Sequence, residues 1–491
     1  MEPNSKQQTV VVIGGGITGL SAAYYLQKGA AEQGLDLRLV LFEAEDKLGG
    51  KIQTESHEGF VMERGPDSFL ARKPAAVNLS RELGIDDELV GTNPHARKTY
   101  ILHKGKLRRI PQGLNIGVPT QFMPFATTSL LSLGGKLRAG FDLVMGRTPN
   151  KGDQSLGAFL EKRLGKEVVD NMAEPLLAGI YAGDLRKLSL RSTFPQFEQL
   201  EQKYGSLVRG MMTQAKEAKA VQAARDAETK PELGATACPL PQSVFLTFRT
   251  GLERLIDRLE AVLAEKVELR TSTAVRSIQS SEGGRYRVAL DTGEIIEADS
   301  VVVTTPTYHA AALLPDTFAP RTQLQQVPYV SVATVLLGFE KATIDYPLDA
   351  SGFVVPRKER RTITACTWTS SKWLHTAKNG RTLLRFYVGR SSDEGIVDQP
   401  DEEIIRRVRK DFADIMGVTA EPMFAKVQRW RRSMPQYTVG HLDRVHAFVE
   451  QAERELPGVF FAGAGFTGLG IPDCIDQGIK TSNGVLAYLK K

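Results

Sequence analysis

A glycine-rich turn between an apolar run and a helix-forming segment constrains this chain more than any other feature of its sequence. Residues 14–19, GGGITG, fit the pattern GxGxxG and directly follow the β-branched run TVVVI at residues 9–13. A continuous run of this kind is typical of a strand buried on both faces of a parallel sheet. Residues 20–27, LSAAYYLQ, predict a helix that ends near Gly29, and residues 37–42, LRLVLF, predict the next strand. Together these segments predict a βαβ unit.

The three glycines of this turn have separate physical roles. Gly14 permits the tight turn, Gly16 lets backbone N–H groups approach a pyrophosphate, and Gly19 allows the helix to pack closely on the sheet. Glu43 follows the second predicted strand, 24 residues after Gly19, near the roughly 20 expected of an acid that binds a ribose 2′-OH. The pattern predicts a dinucleotide site. A glycine-rich turn without a ligand is the alternative.

Further glycine turns indicate a long cofactor that touches both ends of the chain. Gly49-Gly50-Lys51 follow Glu43 closely, residues 63–66 (ERGP) supply another turn, and residues 463–465 (GAG) supply a distant one. An extended cofactor held at both ends of the chain is FAD rather than NAD. Taken singly, each of these turns is also compatible with a structural loop.

The rest of the chain alternates between strand-rich and helical blocks, so its domains are predicted to be discontinuous. Strands are predicted at residues 265–278, 286–290, 294–297, 300–304, 330–339, 352–355, 362–367, 382–388 and 458–462. The segment 286–297 is predicted to be a hairpin around Asp291-Thr292-Gly293. Helices are predicted at residues 156–177, 198–226 and 475–490, with a mobile loop in the polar run 215–229.

The composition excludes a disordered, fibrous or collagen-like protein. The chain has 491 residues, 42% hydrophobic and 24% charged, which is the composition of a soluble globular protein of two or three domains. Its apolar runs are shorter than the roughly 18 to 20 residues that a membrane-spanning helix needs. Cys238, Cys366 and Cys474 form no CxxC pair, so we expect no metal site, no disulfide framework and a cytoplasmic location.

One segment carries most of the positive charge. Residues 89–150 contain nine Lys or Arg and a single acid, Asp142, a balance of +8, whereas the whole chain is +6. The segment is also rich in Phe, Met and Leu. A basic and apolar surface suits anionic lipid or an anionic ligand. A solvated basic face with no specific partner is the alternative.

No other catalytic arrangement competes with the cofactor site. The sequence has no HExxH motif, no Walker A motif and no GxSxG motif in an esterase-like context. His441 is interpreted as a structural, hydrogen-bonded histidine rather than a functional one. Cys474 is interpreted as a small buried hydrophobe without a role. The arginines around Trp430, namely Arg429, Arg431 and Arg432, either grip carboxylates or shield an apolar tip.

Taken in order, eight motifs of the chain resemble the FAD-dependent protoporphyrinogen oxidase family of haem biosynthesis. They are GGGITGLSAAYYL, GGKIQT, ERGPDSFL, EPLLAGIYAGD, LSLRSTFPQF, ACTWT, RWRRSMPQYTVGH and GAGFTGLGIPDCIDQG. The first two also occur in amine oxidases and carotenoid desaturases, whereas the combination of GIYAGD, STFPQF and SMPQYxVGH is more specific. Within the family, the chain is most similar to the Gram-positive branch of oxygen-dependent coproporphyrinogen III oxidases, from about residue 10 to residue 489. In two departures, Lys51 stands where many relatives have Arg, and Gly463-Ala464 replace an acidic Gly-Asp pair.

The resemblance implies an α/β (α+β multidomain) fold of three parts, like that of amine oxidases and protoporphyrinogen oxidases. A Rossmann-type FAD-binding domain is expected at residues 8–75, 243–308 and 436–491. An antiparallel-sheet substrate-binding domain is expected at residues 76–90, 200–242 and 309–435. A helical domain, which in relatives meets the membrane, is expected at residues 91–199 and overlaps the basic segment.

The resemblance also implies which residues bind a non-covalent FAD. It implies a backbone contact to adenine from Val275 and an isoalloxazine beside Gly470, Ile471 and Pro472. The complete set predicted to bind the cofactor is Gly14, Gly15, Gly16, Ile17, Thr18, Gly19, Glu43, Ala44, Gly49, Gly50, Lys51, Gly65, Pro66, Asp67, Ser68, Val275, Gly463, Gly470, Ile471 and Pro472.

The implied reaction is the six-electron oxidation of coproporphyrinogen III, with three O2 reduced to three H2O2; protoporphyrinogen IX is a further expected substrate. Ile180 and Phe353 are predicted to wall the tetrapyrrole pocket, and Arg72 and Lys73 are candidates for holding propionates at its mouth. The flavin carries the hard step, so no acid or base residue is predicted.

The expected partners follow from the same resemblance. They are the tetrapyrrole and O2, a peripheral contact with the inner face of the cell membrane, and haem-pathway enzymes, with the chain a monomer or a homodimer and no nucleic acid bound. Two other functions stay open. One is another FAD oxidase of the amine-oxidase superfamily, and the other is a non-catalytic flavoprotein that docks on a membrane.

Overall fold

The computed structural model describes residues 7–149, 152–228, 241–378 and 380–491. Its strands, in chain order, are β1 Gln8–Ile13, β2 Leu37–Phe42, β3 Thr54–His57, β4 Phe60–Glu63, β5 Phe69–Leu70, β6 Leu89–Gly91, β7 Tyr100–His103, β8 Lys106–Arg109, β9 Leu114–Asn115, β10 Val118–Pro119, β11 Phe245–Phe248, β12 Glu268–Arg270, β13 Val275–Ser280, β14 Tyr286–Leu290, β15 Ile295–Ala298, β16 Ser300–Val303, β17 Tyr329–Glu340, β18 Gly352–Val354, β19 Ile363–Thr367, β20 Arg381–Val388, β21 Phe424–Pro435 and β22 Val459–Phe461.

The helices follow the same order. They are α1 Ile17–Gln33, α2 Pro74–Glu82, α3 Phe122–Thr127, α4 Leu133–Gly140, α5 Leu156–Leu164, α6 Lys166–Val168, α7 Glu174–Tyr181, α8 Leu190–Thr193, α9 Pro195–Tyr204, α10 Leu207–Glu228, α11 Glu253–Leu263, α12 Thr307–Leu313, α13 Arg321–Gln325, α14 Thr369–Lys372, α15 Asp401–Met416, α16 His441–Glu455 and α17 Ile471–Leu489. Short 3-10 turns lie at Asp86–Glu88, Phe141–Leu143, Glu282–Gly284, Lys341–Thr343, Arg357–Glu359 and Gly395–Asp398, and a π-helical turn lies at Val169–Ala173.

The described chain divides into two compact units. Unit 1 comprises residues 7–91, 241–328 and 441–491, and unit 2 comprises residues 92–149, 152–228, 329–378 and 380–440. Unit 1 therefore includes residues 76–90 and 309–328, which the sequence-based division places in the substrate-binding domain. The division into three functional domains stays a prediction.

Unit 1 is built on a five-stranded parallel sheet in the order β12-β2-β1-β16-β22. The structure confirms the strands that the sequence predicts from its continuous apolar runs. Successive residues of β1 point to opposite faces of the sheet. Val10 and Val12 pack with α1, α2, α11 and α17, whereas Val11 and Ile13 pack with β13, β14, β15, α12 and α16. Both faces are covered, which is why these strands lack polar alternation.

The first helix is longer than the sequence predicts. It continues through Gly29 to Gln33 and is capped by Gly34, a left-handed residue with φ of 65° whose N–H donates to the carbonyls of Ala30 and Ala31. A Cβ on Gly29 would lie 2.5 Å from Leu486 Cδ1, so this glycine permits close packing against α17. The predicted end near Gly29 is therefore wrong.

One antiparallel sheet of unit 1 has the order β13-β14-β15. Its β14–β15 hairpin confirms the prediction at residues 286–297. The single strand predicted at residues 265–278 is wrong, because β12 joins the parallel sheet and β13 the antiparallel one. The chain turns between them at Ser272, with φ of 49°. The alternation of apolar and polar residues continues across this turn, so the sequence does not reveal that the chain passes from one sheet to the other.

Unit 2 contains a seven-stranded sheet in the order β21-β17-β20-β19-β18-β7-β8. The structure confirms the four predicted strands that form β17, β18, β19 and β20. One face of the sheet forms an apolar core with α15. The 12-residue edge strand β21 was not predicted. The hairpin β7–β8 also joins this sheet, although it lies in the segment expected to be helical.

The helices of unit 2 follow the predicted blocks with three corrections. Residues 198–226 do not form one helix, because Gly205, with φ of 70°, separates α9 from α10. Residues 156–177 do not form one helix, because Gly165, with φ of 90°, separates α5 from α6. The loop predicted for residues 215–229 is wrong as far as residue 228, which ends α10; Thr229 and Cys238 lie outside the described residues. The run is rich in Ala, Glu, Lys and Gln, whose helix propensity is high. In the part of the chain that is described, no helix is long and apolar enough to cross a bilayer.

Candidate functional site

The turn between β1 and α1 has the backbone geometry that its glycines predict. Gly14 adopts a φ of 105°, and its N–H donates to the carbonyl of Phe42 at 2.8 Å. A Cβ on Gly19 would lie 1.9 Å from the Gly14 carbonyl oxygen, so a side chain there is excluded by the backbone itself. Thr304 Oγ1 donates to the carbonyls of Ile13 and Gly14 at 2.9 and 3.0 Å and holds the turn in place.

Gly16 differs from these two glycines because the space in front of it is open. A Cβ built on Gly16 meets no atom within 4 Å. Gly16 is also the N-cap of α1, and the helix has neither a side-chain cap nor an acidic residue in its first turn. The first N–H groups of a helix need partners from outside it, and they attract anions. This end of α1 is therefore suited to a phosphate group.

Glu43 is fixed at the end of β2 by backbone groups on both sides. Its Oε2 accepts the Gly15 N–H at 2.7 Å, and its Oε1 accepts the Glu45 N–H at 2.9 Å. Each carboxylate oxygen has a further lone pair, so Glu43 can still accept a hydroxyl of a ribose. The glutamate is therefore part of the turn and has capacity for a further hydrogen bond.

The Gly49-Gly50-Lys51 turn lies directly against the first glycine turn. The Gly49 N–H donates to the Gly15 carbonyl at 2.8 Å, and Gly16 and Gly49 form a parallel β-bridge. A Cβ on Gly50 would lie 3.5 Å from the Gly16 Cα. Desolvation lowers the pKa of Lys51, and the Cys474 thiol partly opposes this shift. An anionic group beside the ammonium would favour its charged form.

The C-terminal helix α17 brings the other end of the chain to the same place. A Cβ on Gly478 would lie 2.9 Å from both Ser21 Cβ and the Thr18 carbonyl oxygen, so the first turns of α17 pack on the first turn of α1. Gly463, with φ of 120°, donates its N–H to Gln477 Oε1 at 3.0 Å. The beginnings of α1 and α17 therefore lie side by side.

Every residue predicted to bind the cofactor lies in unit 1. Residues 65–68 form a half-buried loop after β4, where Ser68 Oγ donates to Asp67 Oδ1 at 2.7 Å. Val275 begins β13 and pairs with Leu290. The uncapped helix end, the open space at Gly16 and the acceptor at Glu43 fit the pyrophosphate and ribose of a dinucleotide such as FAD. The individual contacts stay predictions.

Cys474 is placed as the sequence suggests, in the first turn of α17 but buried. Burial raises the pKa of this thiol to about 11, although a hydrogen bond with Thr18 opposes the shift. At neutral pH the thiol is therefore protonated and is a poor nucleophile. Burial also raises the pKa of Cys366 well above its ordinary value.

The four residues predicted to contact the substrate have different surroundings. Arg72 is exposed in the turn before α2. Lys73 is the N-cap of α2, and its Nζ lies 2.6 and 2.7 Å from the two carboxylate oxygens of Asp473. In unit 2, Ile180 on α7 is 48% exposed, whereas Phe353 on β18 is 1% exposed and lies in the apolar core. Their roles stay predictions.

The other candidates are satisfied by neighbours in their own unit. His441 is buried, and its Nε2 lies 2.8 Å from the Phe466 carbonyl oxygen, as a structural histidine should. Arg429 Nε donates to the Val397 carbonyl at 2.8 Å. Arg429 also pairs with Asp401, and Arg431 Nε lies 3.1 Å from Asp398 Oδ1, so two of the arginines beside Trp430 bind carboxylates of unit 2.

Sequence reasoning missed three residues that shape this site, namely Thr304, Gln477 and Asp473. Thr304 directly follows the strand β16, next to the end of β1, which is a detectable signal because the carboxyl ends of neighbouring parallel strands meet at one edge. Gln477 contacts the loop before α17, through Gly463, whereas Asp473 contacts Lys73, which is 400 residues away in the sequence. Their position in the first two turns of α17 was the only local signal.

Comparisons with known proteins agree over nearly the whole chain. The family model of flavin containing amine oxidoreductases matches residues 17–486. The chain is 44% identical over 481 residues to a coproporphyrinogen III oxidase of Bacillus subtilis (strain 168), covering 98% of each chain. It is 38% identical to a coproporphyrinogen III oxidase of Staphylococcus aureus, covering 98% of this chain and 100% of the relative. A crystal structure from Exiguobacterium sp. 255-15, assigned as a protoporphyrinogen oxidase, matches with a TM-score of 0.83 and 37% identity over 99% of both chains.

Proposed function

The chain belongs to the family of flavin containing amine oxidoreductases, and from this membership we propose that it oxidises coproporphyrinogen III to coproporphyrin III with FAD as its cofactor. The observation that supports this substrate is the end-to-end similarity to two bacterial proteins named coproporphyrinogen III oxidase. Unit 1 adds an independent physical argument, because its open helix end and fixed glutamate suit a dinucleotide.

The proposed reaction removes six electrons and six protons from the macrocycle in three two-electron steps. Three O2 take up these electrons and protons and become three H2O2, so atoms and charges balance. When bound, FAD supplies the acceptor for each pair of electrons and passes them to O2. The protein has to hold the cofactor, orient the macrocycle and keep water away from the reacting carbon.

The residues of unit 1 hold the cofactor in this proposal. Gly16 and the first N–H groups of α1 bind the pyrophosphate, which the macrodipole of the helix favours. Glu43 accepts a ribose hydroxyl, and Lys51, which directly follows the Gly49-Gly50 turn, supplies a cation for the phosphates. The remaining contacts are those predicted from the resemblance, including Val275 and the turn at residues 470–472.

Arg72 is the residue of unit 1 best suited to hold a carboxylate of the substrate. Its side chain is exposed, and among the described residues it makes no ion pair. Coproporphyrinogen III has four propionates and protoporphyrinogen IX has two, so a cation at the pocket mouth favours the tetracarboxylate. Ile180 is exposed enough to contact an apolar ring face, whereas Phe353 acts through the packing of unit 2.

A surface of unit 2, which we call the α4 surface, supports a peripheral contact with anionic membrane. Leu133, Leu137, Phe141 and Val144 are spaced by four, four and three residues and are 75%, 69%, 57% and 73% exposed. This spacing places them on one side of α4 and of the 3-10 turn that follows it. An exposed apolar stripe of this kind is typical of a helix that lies in the membrane interface.

The charge of residues 89–150, the segment that contains the α4 surface, favours anionic lipid over neutral lipid. The only acid among residues 89–150, Asp142, is buried and forms an ion pair with the buried Arg163. The β7–β8 hairpin presents the exposed cations Lys104, Lys106, Arg108 and Arg109. Not every cation of the segment is available, because Lys98 pairs with Asp349 and Arg138 donates to the end of α5.

The proposal is tested with the purified holoenzyme, by measuring porphyrin fluorescence and H2O2 after addition of coproporphyrinogen III in air. We expect about three H2O2 for each porphyrin formed, as in any porphyrinogen oxidation by a flavin oxidase. Absence of turnover would favour a non-catalytic flavoprotein. Turnover of amines without turnover of porphyrinogen would favour another oxidase of the family.

A further inference from the structure

An ion pair between distant parts of the sequence ties the beginning of α2 to the beginning of α17. Lys73 Nζ contacts both carboxylate oxygens of Asp473, at 2.6 and 2.7 Å. The two side chains are 41% and 28% exposed. The charge of Lys73 is therefore already matched inside unit 1.

Asp473 in turn packs on the loop that leads into α17. A Cβ on Gly468, which has φ of 77°, would lie 2.6 Å from Asp473 Cβ. A Cβ on Gly470 would lie 2.9 Å from Asp473 Oδ2. The carboxylate thus lies directly over residues 468–470, and a change in its position requires a change in this turn.

This turn belongs to the cofactor site. Gly470 is the N-cap of α17, and α17 has no side-chain cap. The first turns of α17 pack against the first turn of α1, where a Cβ on Gly478 would meet Thr18 and Ser21. The N-terminal ends of α1 and α17 therefore lie close together in unit 1. In the proposed function both ends face FAD, so the residues that shape the start of α17 also affect the binding of this cofactor.

We propose that Lys73 is a positioning residue that acts through Asp473 on the turn at residues 468–472, and that it does not hold a propionate. The inference rests on the proposed function, in which this turn contacts FAD. A propionate on Lys73 would displace the Asp473 carboxylate and leave it beside another negative charge, which electrostatics disfavours. Arg72 meets no such competition from an acid among the described residues.

Four variants of the holoenzyme test this assignment: Lys73→Met, Asp473→Asn, the double variant, and Arg72→Met as the matched control. The first readout is the FAD dissociation constant, from reconstitution of apoprotein followed by flavin fluorescence. The second is the visible absorption spectrum of the bound flavin, which reports its surroundings without any turnover. The third is KM for coproporphyrinogen III.

We expect Lys73→Met and Asp473→Asn each to weaken FAD binding about fivefold and to shift the flavin spectrum in the same way. The double variant should be no weaker than either single variant, because both remove one interaction. Arg72→Met should leave FAD affinity and spectrum unchanged and raise KM.

The opposite pattern would overturn the assignment: Lys73→Met leaves FAD affinity and spectrum as in the parent and raises KM as Arg72→Met does. Lys73→Arg keeps the charge and should retain both flavin readouts, which separates loss of the pair from a general folding defect. FAD affinity and the flavin spectrum are measured without porphyrinogen. If coproporphyrinogen III proves not to be a substrate, these two measurements still test the role of Lys73.

Discussion

The glycine turn of unit 1 and the α4 surface of unit 2 are both suited to negatively charged partners, but they are built in different ways. At the turn, backbone N–H groups and closely packed glycines define the site, and a Cβ on Gly19 would lie only 1.9 Å from a carbonyl oxygen. At the α4 surface, exposed side chains such as Leu133 and Leu137 define it. A site made of backbone should fail completely when one atom is added, whereas a site made of side chains should weaken in steps.

The largest effect is expected at Gly16. Gly16→Val places a branched side chain in the open space that the pyrophosphate needs, so the purified protein should lose its yellow colour and bind no measurable FAD. No protein atom lies within 4 Å of the Cβ position, so the variant should keep the far-UV circular dichroism of the parent.

Gly395→Val is the matched control for this change. Gly395 lies in an exposed turn of unit 2, and a Cβ there also meets nothing within 4 Å. This variant should retain full FAD content. Equal FAD content in Gly16→Val and Gly395→Val would show that the pyrophosphate does not bind at Gly16. Flavin that stays with acid-precipitated protein would contradict a non-covalent cofactor.

The second effect concerns the apolar stripe of the α4 surface. Leu133→Ser and Leu137→Ser should each weaken binding to phosphatidylcholine vesicles that contain phosphatidylglycerol by about tenfold, because each leucine buries apolar area in the interface. Sedimentation of the protein with vesicles measures this. Leu374→Ser is the control, since Leu374 is 68% exposed in unit 2 but outside the stripe. If all three variants bind equally, the stripe has no role in membrane contact.

The third effect distinguishes a substrate cation from the cofactor turn. Arg72→Met should lower kcat/KM for coproporphyrinogen III about fivefold and should change kcat/KM for protoporphyrinogen IX less, because the second substrate has two fewer carboxylates. Added salt should reduce the difference between the two substrates. Equal losses for both substrates would show that Arg72 does not recognise the extra propionates.

The smallest effect is expected from a single exposed cation. Arg109→Gln should weaken binding to anionic vesicles about threefold to fivefold at low salt, since one Lys or Arg near an anionic leaflet contributes roughly 1 kcal/mol. The loss should shrink as salt is added. FAD content should stay the same at every salt concentration. A loss that is independent of salt would indicate that Arg109 acts by shape rather than charge.

The same contrast explains which parts of the molecule the sequence could predict. The strands β1, β2 and β16 follow from runs such as LRLVLF because burial on both faces leaves a continuous apolar pattern. The turn at Gly14 follows from local backbone sterics. In both cases the decisive interactions are close in sequence or are repeated along one element.

The missed features depend on contacts between distant residues. The ion pair of Lys73 with Asp473 spans 400 residues, and nothing local to Lys73 distinguishes it from Arg72. The polar run after residue 215 forms a helix through intrinsic propensity without an apolar face. The strand β21 lies at a sheet edge, where only part of its surface is buried and the alternating pattern is weak.

The central claim, that this FAD-dependent oxidase acts on coproporphyrinogen III, is tested most directly by measuring kcat/KM for coproporphyrinogen III and protoporphyrinogen IX side by side. The assay uses the purified holoenzyme in air at low salt, with porphyrin fluorescence as the readout. We predict the higher kcat/KM for coproporphyrinogen III. A higher kcat/KM for protoporphyrinogen IX would contradict the substrate assignment.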